Sequence, residues 1–253
     1  MKNEIGKVIR NNLIFDDTYE MEIEGFTDAT PGQFVNVKTG DNSLLLRRPI
    51  SISEVNANSI VITYKVVGAG TKILSEKKPG DMLDILGPLG NGFPIVKNEK
   101  VVLVGGGIGV PPLVETAKKL KESGCEVSIV IGARNKSLVI YADKLKKYGK
   151  VYVATDDGSM GFKGNVIECI EGNNIEFDTL YACGPNIMLK FLDYKYNGVK
   201  KGYLSFEERM ACGVGICYGC VCKPREVKDG FLRVCKEGPV FELGVVKYEW
   251  FKC

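Results

Sequence analysis

The sequence predicts a β plus α/β protein: an N-terminal antiparallel β-barrel, then a parallel-sheet α/β domain, then a small C-terminal subdomain. Three observations predict this. Short strand-like segments bounded by Gly, Pro, Asn or Asp come first, alternating strands and helices follow, and five cysteines crowd residues 212–235. Regularly spaced short strands are typical of a closed barrel, and strand–helix alternation is typical of a parallel sheet. The expected limits of the three parts are residues 1–97, 98–200 and 201–253.

In the first part, the segment TYEMEIEG (18–25) shows the clearest period of two. Tyr19, Met21 and Ile23 fall on one face, and glutamates fall on the other. This alternation predicts a half-buried antiparallel strand. Further short strands are predicted in PGQFVNVKTG, RRPISISEV, NSIVITYKVV and GDMLDILGPLG, with a short helix at TKILSEKK.

In the second part, KVVLVGGG (100–107) is a continuous apolar run, which predicts a strand buried on both faces. The next segment, PPLVETAKKLKESG, has apolar residues at helical spacing and predicts a helix. Strands are then predicted at CEVSIVIG, VYVAT and DTLYACG, and helices at SLVIYADKLKKYG, GNVIECIEG and PNIMLKFLDYKYN. A final strand is predicted at VFELGVVKYEWF, within the third part.

Composition excludes several classes of function. The net charge is only +3, from 34 basic and 31 acidic residues, so neither nucleic acid nor membrane is expected as a partner. The longest apolar runs are broken by glycine and proline, and the N-terminus lacks a hydrophobic signal segment, so we expect a cytoplasmic protein with reduced thiols. The chain has no histidine, which removes histidine-based acid–base and nucleophilic catalysis. Any chemistry is therefore expected to belong to cofactors, and no catalytic side chain is predicted.

A glycine-rich turn, VGGGIGVPPL (104–113), joins the first buried strand to its helix. Such a turn is typical of dinucleotide binding, because bare backbone N–H groups can approach a pyrophosphate; the alternative is a tight turn with close packing. The segments CGP (183–185) and TDDGS (155–159) end other parallel strands at the same edge, where ligands bind. The predicted nucleotide contacts are Gly105, Gly106, Gly107, Gly109, Cys183, Gly184 and Pro185.

The cysteine segment ERMACGVGICYGCVCK (207–223) suggests a metal centre. Four residues separate Cys212 from Cys217, two separate Cys217 from Cys220, and Cys235 follows after fourteen more. C-x4-C-x2-C with a distant fourth cysteine is the plant-type 2Fe–2S spacing, and the intervening glycines let N–H groups point at sulfur. Zinc is the alternative, since thiolates suit both metals. Cys222 is a surplus thiol without a predicted role.

Two further segments could be either binding segments or ordinary solvent-exposed strands with a turn. Their composition alone favours exposed strands for both. LLRRPISIS (45–53) and ITYKVVGAGT (62–71) nevertheless resemble, together with the glycine turns, the ferredoxin reductase family of flavoproteins. This resemblance implies an FAD site on the barrel, with Arg48 toward the pyrophosphate and Ser51 toward the flavin, and a nicotinamide site on the sheet. The implied FAD contacts are Arg48, Pro49, Ile50, Ser51, Thr63, Tyr64, Lys65, Gly70 and Thr71.

The C-terminal segment narrows the resemblance to the electron transfer subunits of NAD-dependent (class B) dihydroorotate dehydrogenases. That family implies FAD, one 2Fe–2S cluster held by Cys212, Cys217, Cys220 and Cys235, and NAD as the electron acceptor. It also implies an FMN-containing catalytic subunit as partner, in a heterotetramer with two of each chain. The implied function is electron transfer from that FMN to NAD⁺ in de novo pyrimidine (UMP) biosynthesis.

Two alternatives remain open at the level of sequence. A related reductase subunit of another complex, of the transhydrogenase or hydrogenase type, would carry the same cofactors and differ only in its partner. A regulatory protein would hold zinc in the cysteines and would bind or merely pack around the glycine turn.

Overall fold

The structure, a computed structural model, describes residues 2–227 and 229–248. Its first six strands close into a barrel of order β1-β2-β5-β4-β3-β6 with antiparallel neighbours throughout, which confirms the predicted N-terminal barrel. A short helix, α1 (Ala69–Ser75), connects the fifth strand to the sixth, as predicted. The strands are β1 (Lys2–Phe15), β2 (Thr18–Glu24), β3 (Phe34–Val37), β4 (Arg48–Val55), β5 (Ser59–Lys65) and β6 (Met82–Leu89).

A seven-stranded sheet of order β10-β9-β8-β7-β11-β12-β15 forms the second layer, and all its pairings are parallel except the last. This confirms the predicted parallel-sheet part. The strands are β7 (Lys100–Gly106), β8 (Glu126–Ala133), β9 (Lys150–Thr155), β10 (Phe162–Lys163), β11 (Thr179–Cys183), β12 (Lys201–Ser205) and β15 (Val240–Glu242). The helices are α2 (Leu113–Glu122), α3 (Ala142–Leu145), α4 (Val166–Gly172) and α5 (Asn186–Tyr196).

Helix α2 forms where the spacing of apolar residues predicted a helix. Its apolar residues Leu113, Val114, Ala117 and Leu120 are all buried, because their spacing places them on one face against the sheet. Among the described residues, no helix combines the length and apolarity that a bilayer-spanning segment needs.

The helix predicted over residues 137–149 was wrong for most of its length. Asn135 caps a 3₁₀ turn at Lys136–Leu138, and Val139 is then extended. Tyr141 takes a left-handed conformation with φ of 61°, so helix α3 begins only after it and lasts four residues. The β-branched residues Val139 and Ile140, followed by the left-handed Tyr141, interrupt the helical hydrogen bonds. The helical spacing of apolar residues in the sequence does not reveal this interruption.

The final predicted strand is also interrupted. Gly244, with φ of 81°, lies in a turn between β15 and the short strand β16 (Val246–Lys247). These two strands join different sheets, because β15 pairs with β12 whereas β16 pairs with β13 (Val221–Pro224). Residues 249–251 of the predicted strand lie outside the described residues.

The C-terminal cysteine segment packs on both larger parts of the molecule. Its strands β13, β14 (Leu232–Arg233) and β16 form a three-stranded sheet. One apolar core joins Phe34 of the barrel, Leu204 of the large sheet, and Cys220 and Cys235. The large sheet also continues past residue 200 into β12 and β15, and the three predicted domain limits stay a prediction.

An ionic network joins the barrel to the large sheet around Glu20. The alternation in β2 predicted an exposed glutamate, but Glu20 is buried. Its carboxylate accepts hydrogen bonds from the Tyr141 hydroxyl, from Lys144 Nζ at 2.9 Å and from Arg10 Nη1 at 2.5 Å. Burial alone would raise the pKa of Glu20, yet these three donors lower it to about 2. The carboxylate therefore stabilises the junction between the two parts.

We expect this junction to weaken in acid. The pKa of Glu20 falls from its ordinary 4.5 to about 2 on folding, so its stabilisation is complete above pH 4.5 and is lost as the pH drops toward 2. The shift corresponds to roughly 3 kcal/mol. Urea unfolding at pH 7 and at pH 3 should show Glu20→Gln to be less stable than the wild type at pH 7, with the gap narrowing at pH 3. A gap that does not change with pH would contradict this role.

Candidate functional site

The two predicted nucleotide turns lie side by side at the carboxyl edge of the large sheet. Strands β7 and β11 are neighbours, with Cys183 opposite Gly105. A Cβ on Gly109 would overlap the carbonyl group of Cys183, and one on Gly184 would lie 2.9 Å from the Gly106 nitrogen. Several glycines therefore allow the two turns to pack together, which is the packing role that the sequence left open.

Gly107 is the glycine that faces open space. It has φ of 55°, and an added Cβ there would meet no atom of the described part of the chain within 4 Å. Gly105 and Gly106 instead face Val110 and Pro185, respectively. Among the predicted turn glycines, Gly107 is thus the best placed to offer bare backbone to a ligand. The TDDGS segment lies farther away, because β9 is separated from β7 by β8.

A carboxylate and a thiol come together near this edge. Burial is the main cause that raises the pKa of the Cys183 thiol, and the nearby carboxylate of Glu207 raises it further. Glu207 is itself exposed to solvent at this edge. Sequence reasoning left Glu207 without a role, because its proximity to Cys183 depends on the pairing of β12 with β11.

The barrel brings Arg48 to the first turn of α1. A Cβ on Gly70 would overlap the guanidinium of Arg48, so the glycine lets the arginine lie across the start of the helix. The Thr71 hydroxyl accepts hydrogen bonds from the N–H groups of Val67 at 3.0 Å and Gly68 at 3.3 Å, which fixes the turn. A fixed basic group beside a bare turn suits a pyrophosphate.

Apolar side chains are exposed beside this basic group. Leu46 is 54% exposed and Val67 is 81% exposed. Exposed apolar side chains at the rim of a polar site are typical of a surface that receives an aromatic ring. Both residues flank the predicted FAD segments, and sequence reasoning had not selected either of them.

The side chains of the other predicted FAD contacts fall into two groups, one accessible to a ligand and one buried. Pro49 and Lys65 are exposed and Ser51 is half-buried, so a ligand can reach their side chains. The side chains of Ile50, Thr63 and Tyr64 are buried. The hydroxyl of Tyr64 donates to Asn11 Oδ1 at 3.0 Å, and the hydroxyls of Thr63 and Tyr141 lie 2.9 Å apart. These buried side chains serve the barrel and its junction with the large sheet.

The cysteine segment directs backbone N–H groups at sulfur, as its glycines predicted. Cys212 Sγ accepts from the nitrogens of Val214 at 3.5 Å and Cys217 at 3.4 Å. Cys217 Sγ accepts from Gly219, and Cys220 Sγ accepts from Cys235, both at 3.4 Å. Burial opposes ionisation of Cys212, but the N–H donors lower its pKa to about 6. The loop therefore favours the thiolate, which is the form that binds metal.

The four predicted ligands form two pairs. The N–H of Cys217 donates to Cys212 Sγ, and the N–H of Cys235 donates to Cys220 Sγ, so Cys212 lies beside Cys217 and Cys220 lies beside Cys235. Residues 2–227 and 229–248 contain no group of three or more Cys, Asp or Glu side chains close enough to hold one metal ion. Two cysteine pairs are what a two-iron cluster needs, since each iron takes two thiolates. The residues present fit such a cluster.

Arg233 braces the cysteine loop and was missed by sequence reasoning. Its Nη1 donates to the Gly215 carbonyl at 2.7 Å, and its guanidinium lies 5.0 Å from the Tyr218 ring centroid. Glu237 holds the same guanidinium through Nε at 3.0 Å. The position of Arg233 two residues before Cys235 was only a weak indication of this contact, because Gly215 lies eighteen residues earlier in the chain.

Cys222 is separate from the two pairs. It is fully buried in β13, and burial raises its pKa to about 12. We expect Cys222→Ser to leave the iron and sulfide content unchanged but to cost roughly 1–3 kcal/mol, because a hydroxyl replaces an apolar thiol in the core. Visible absorbance and urea unfolding would measure the two effects. Bleaching of the cluster absorbance would show instead that Cys222 is a ligand.

Comparisons with known families match two segments. The family "Iron-sulfur cluster binding domain of dihydroorotate dehydrogenase B" matches residues 207–247, and "Oxidoreductase NAD-binding domain" matches residues 103–193. These matches confirm the predicted iron–sulfur and NAD functions of the two segments. They count against the zinc alternative.

Curated relatives match nearly the whole chain. The chain is 47% identical to the protein "Dihydroorotate dehydrogenase B (NAD(+)), electron transfer subunit" of Fusobacterium nucleatum, over 98% of this chain and 100% of the relative. It is 49% identical to the protein of the same name from Streptococcus thermophilus, over 94% of this chain and 96% of the relative.

Solved structures agree with the fold. An NADH-dependent reduced ferredoxin–NADP oxidoreductase, studied for flavin-based electron bifurcation, superposes with a TM-score of 0.86 at 31% identity, over 98% of this chain and 91% of that one. The cytochrome b5 reductase domain of Ulva prolifera nitrate reductase superposes with a TM-score of 0.65 at 16% identity, over 81% and 97%. Because the second identity is only 16%, this structural similarity supports the fold and nothing about function.

Proposed function

This chain belongs to the family of electron transfer subunits of NAD⁺-dependent dihydroorotate dehydrogenase B, and we propose that it carries electrons from a catalytic subunit to NAD⁺. The observation that carries the proposal is the placement of Cys212 beside Cys217 and of Cys220 beside Cys235, with the second pair packed in the core that joins the barrel to the large sheet. We propose a 2Fe–2S cluster at these cysteines, FAD on the barrel and NAD at the sheet edge.

Bound FAD, the cluster and NAD⁺ supply the one- and two-electron chemistry, so the chain has to bind, orient and shield them. Arg48 and the Thr71 turn receive the FAD pyrophosphate, and Gly107 offers backbone to the dinucleotide. The N–H groups around Cys212 stabilise the thiolate ligand. We assign proton abstraction from the substrate to the partner, so this chain needs no acid–base side chain, in keeping with its lack of histidine.

The tip of the cysteine loop is the proposed docking surface for the partner. Ile216 is 78% exposed and Tyr218 is 53% exposed, and they flank the exposed Cys217. Apolar and aromatic side chains that stand in solvent are typical of a protein interface. We propose an FMN-containing dihydroorotate dehydrogenase as the partner, two of each chain per complex, acting in pyrimidine synthesis. The cytoplasmic location stays a prediction.

The test is reconstitution with that partner. The purified chain should contain FAD together with two irons and two acid-labile sulfides, and should show a flavin spectrum with a broad iron–sulfur shoulder. Co-expressed with the FMN subunit, it should reduce NAD⁺ in a dihydroorotate-dependent reaction that neither subunit performs alone. A colourless, zinc-containing protein would refute the proposal.

A second candidate is a reductase subunit of a different complex. The 31% identity and TM-score of 0.86 to the ferredoxin–NADP oxidoreductase favour it. That candidate predicts the same spectrum but no coupling to dihydroorotate. Electron transfer with reduced ferredoxin, in the absence of the FMN subunit, would select it.

A further inference from the structure

Asn36 in β3 is a buried amide. The residue is 0% exposed, and neither its Nδ2 nor its Oδ1 has a hydrogen-bond partner among residues 2–227 and 229–248. Buried polar side chains in native proteins are almost always hydrogen-bonded, because an unpaired amide in the interior costs stability. An orphaned amide in the middle of a well-ordered strand therefore points to a group that the polypeptide itself does not supply.

The orientation of Asn36 identifies the region it serves. Val35 and Val37 point into the barrel core, so Phe34 and Asn36 point out of the barrel on the other face of the strand. Phe34 lies in the core that includes Cys220. The outer face of β3 is thus the face that meets the cysteine segment.

The amide itself contacts the cysteine loop. A Cβ on Gly213 would overlap Asn36 Nδ2, and Gly213 also has φ of 70°. Gly213 directly follows Cys212, the thiol that already accepts N–H groups from Val214 and Cys217. Asn36 Nδ2 therefore lies against the residue that follows the predicted ligand Cys212, on the barrel side of the loop.

Asn36 also lies beside the proposed flavin segment. Its partner in the pairing of β3 with β4 is Pro49, one residue after Arg48. Residues at paired positions of an antiparallel sheet project on the same face. The amide thus stands between the strand proposed to hold FAD and the loop proposed to hold the cluster.

We propose that Asn36 donates a hydrogen bond from Nδ2 to a sulfur of the cluster on its Cys212 side, and so raises the reduction potential of that cluster. This inference rests on the proposed function. A donor to sulfur stabilises the reduced cluster, which carries one more negative charge than the oxidised cluster. Asn36 is then a positioning and tuning residue that sets the driving force between cluster and flavin.

The experiment is an EPR-monitored redox titration of the purified chain with its cofactors. Asn36→Leu keeps the size of the side chain and removes the donor. We expect the cluster midpoint potential to shift to a lower value, while the FAD potential and the iron and sulfide content remain those of the wild type. Asn36→Val, which matches the flanking valines of β3, should shift the cluster potential in the same direction. This second variant allows the test to be made if Asn36→Leu does not fold.

Asn91→Leu is the matched control. Asn91 Nδ2 also joins the barrel side to the cysteine segment, but it donates to the backbone carbonyls of Lys236 at 3.1 Å and Glu237 at 2.9 Å. Its removal should lower the unfolding temperature without moving the cluster potential. If Asn36→Leu and Asn91→Leu shift the cluster potential equally, the shift would reflect a general destabilisation of the cysteine segment, and the proposal would be overturned.

Other outcomes also decide the question. An unchanged cluster potential in both Asn36 variants, a shift confined to FAD, or folded variants that lack the cluster would each overturn the tuning role. A wild-type chain without iron and sulfide would instead refute the proposed function, so the two failures are distinguishable.

Discussion

Cys217→Ser is expected to remove the iron–sulfur cluster while FAD stays bound. Cys217 is exposed, and its sulfur accepts a hydrogen bond from Gly219 without filling the core, so the fold should tolerate the change. The proposed FAD segments 48–51 and 63–71 belong to the barrel strands and to helix α1, whereas Cys217 belongs to the separate cysteine segment. Iron and sulfide should fall close to zero, and dihydroorotate-driven NAD⁺ reduction with the partner should fall about 100-fold or more.

The readout that separates this effect from unfolding is NADH oxidation with ferricyanide, which needs FAD and NAD but no cluster. That activity should remain near the wild-type value in Cys217→Ser. Cys222→Ser, with its intact pairs, serves as the control for loss of a thiol from the same segment. Simultaneous loss of FAD and cluster would contradict separate sites, and full retention of iron would remove Cys217 from the ligand set.

Arg48→Gln is expected to release FAD. The guanidinium packs against Gly70 in the first turn of α1, where a charged donor can pair with a pyrophosphate. A hydrogen bond to a charged group contributes roughly 1.5–3 kcal/mol, so the affinity for FAD should fall about 10- to 100-fold. Flavin fluorescence released on dilution, or titration of the stripped protein with FAD, measures the change.

The adjacent arginine provides the matched control. Arg47 donates from Nη2 to Asp84 Oδ1 and from Nη1 to the Asp84 carbonyl, each at 2.8 Å, and so ties β6 to the segment before β4. Arg47→Gln should therefore lower the unfolding temperature but keep FAD. If Arg47→Gln loses FAD as readily as Arg48→Gln does, the assignment of Arg48 to the pyrophosphate is wrong.

Local patterns in the sequence were sufficient where burial follows a single period. Helix α2 and strand β2 are examples, because the spacing of Leu113, Ala117 and Leu120, or of Met21 and Ile23, determines one buried face. The same reasoning failed at residues 137–149, where the left-handed Tyr141 ends the periodic pattern. It also failed at Glu20, whose burial depends on Tyr141 and Lys144, more than a hundred residues away.

The three-part architecture, the glycine turns and the cysteine spacing can be predicted from the amino-acid order alone, because each depends on residues close together in the chain. Which cysteines lie side by side depends instead on the fold, because the small C-terminal sheet brings Cys235 to Cys220. The fold also packs the two glycine turns on each other and brings Asn36 to Gly213. These contacts join segments far apart in sequence, and their geometry exists only when the barrel, the large sheet and the cysteine segment share one core.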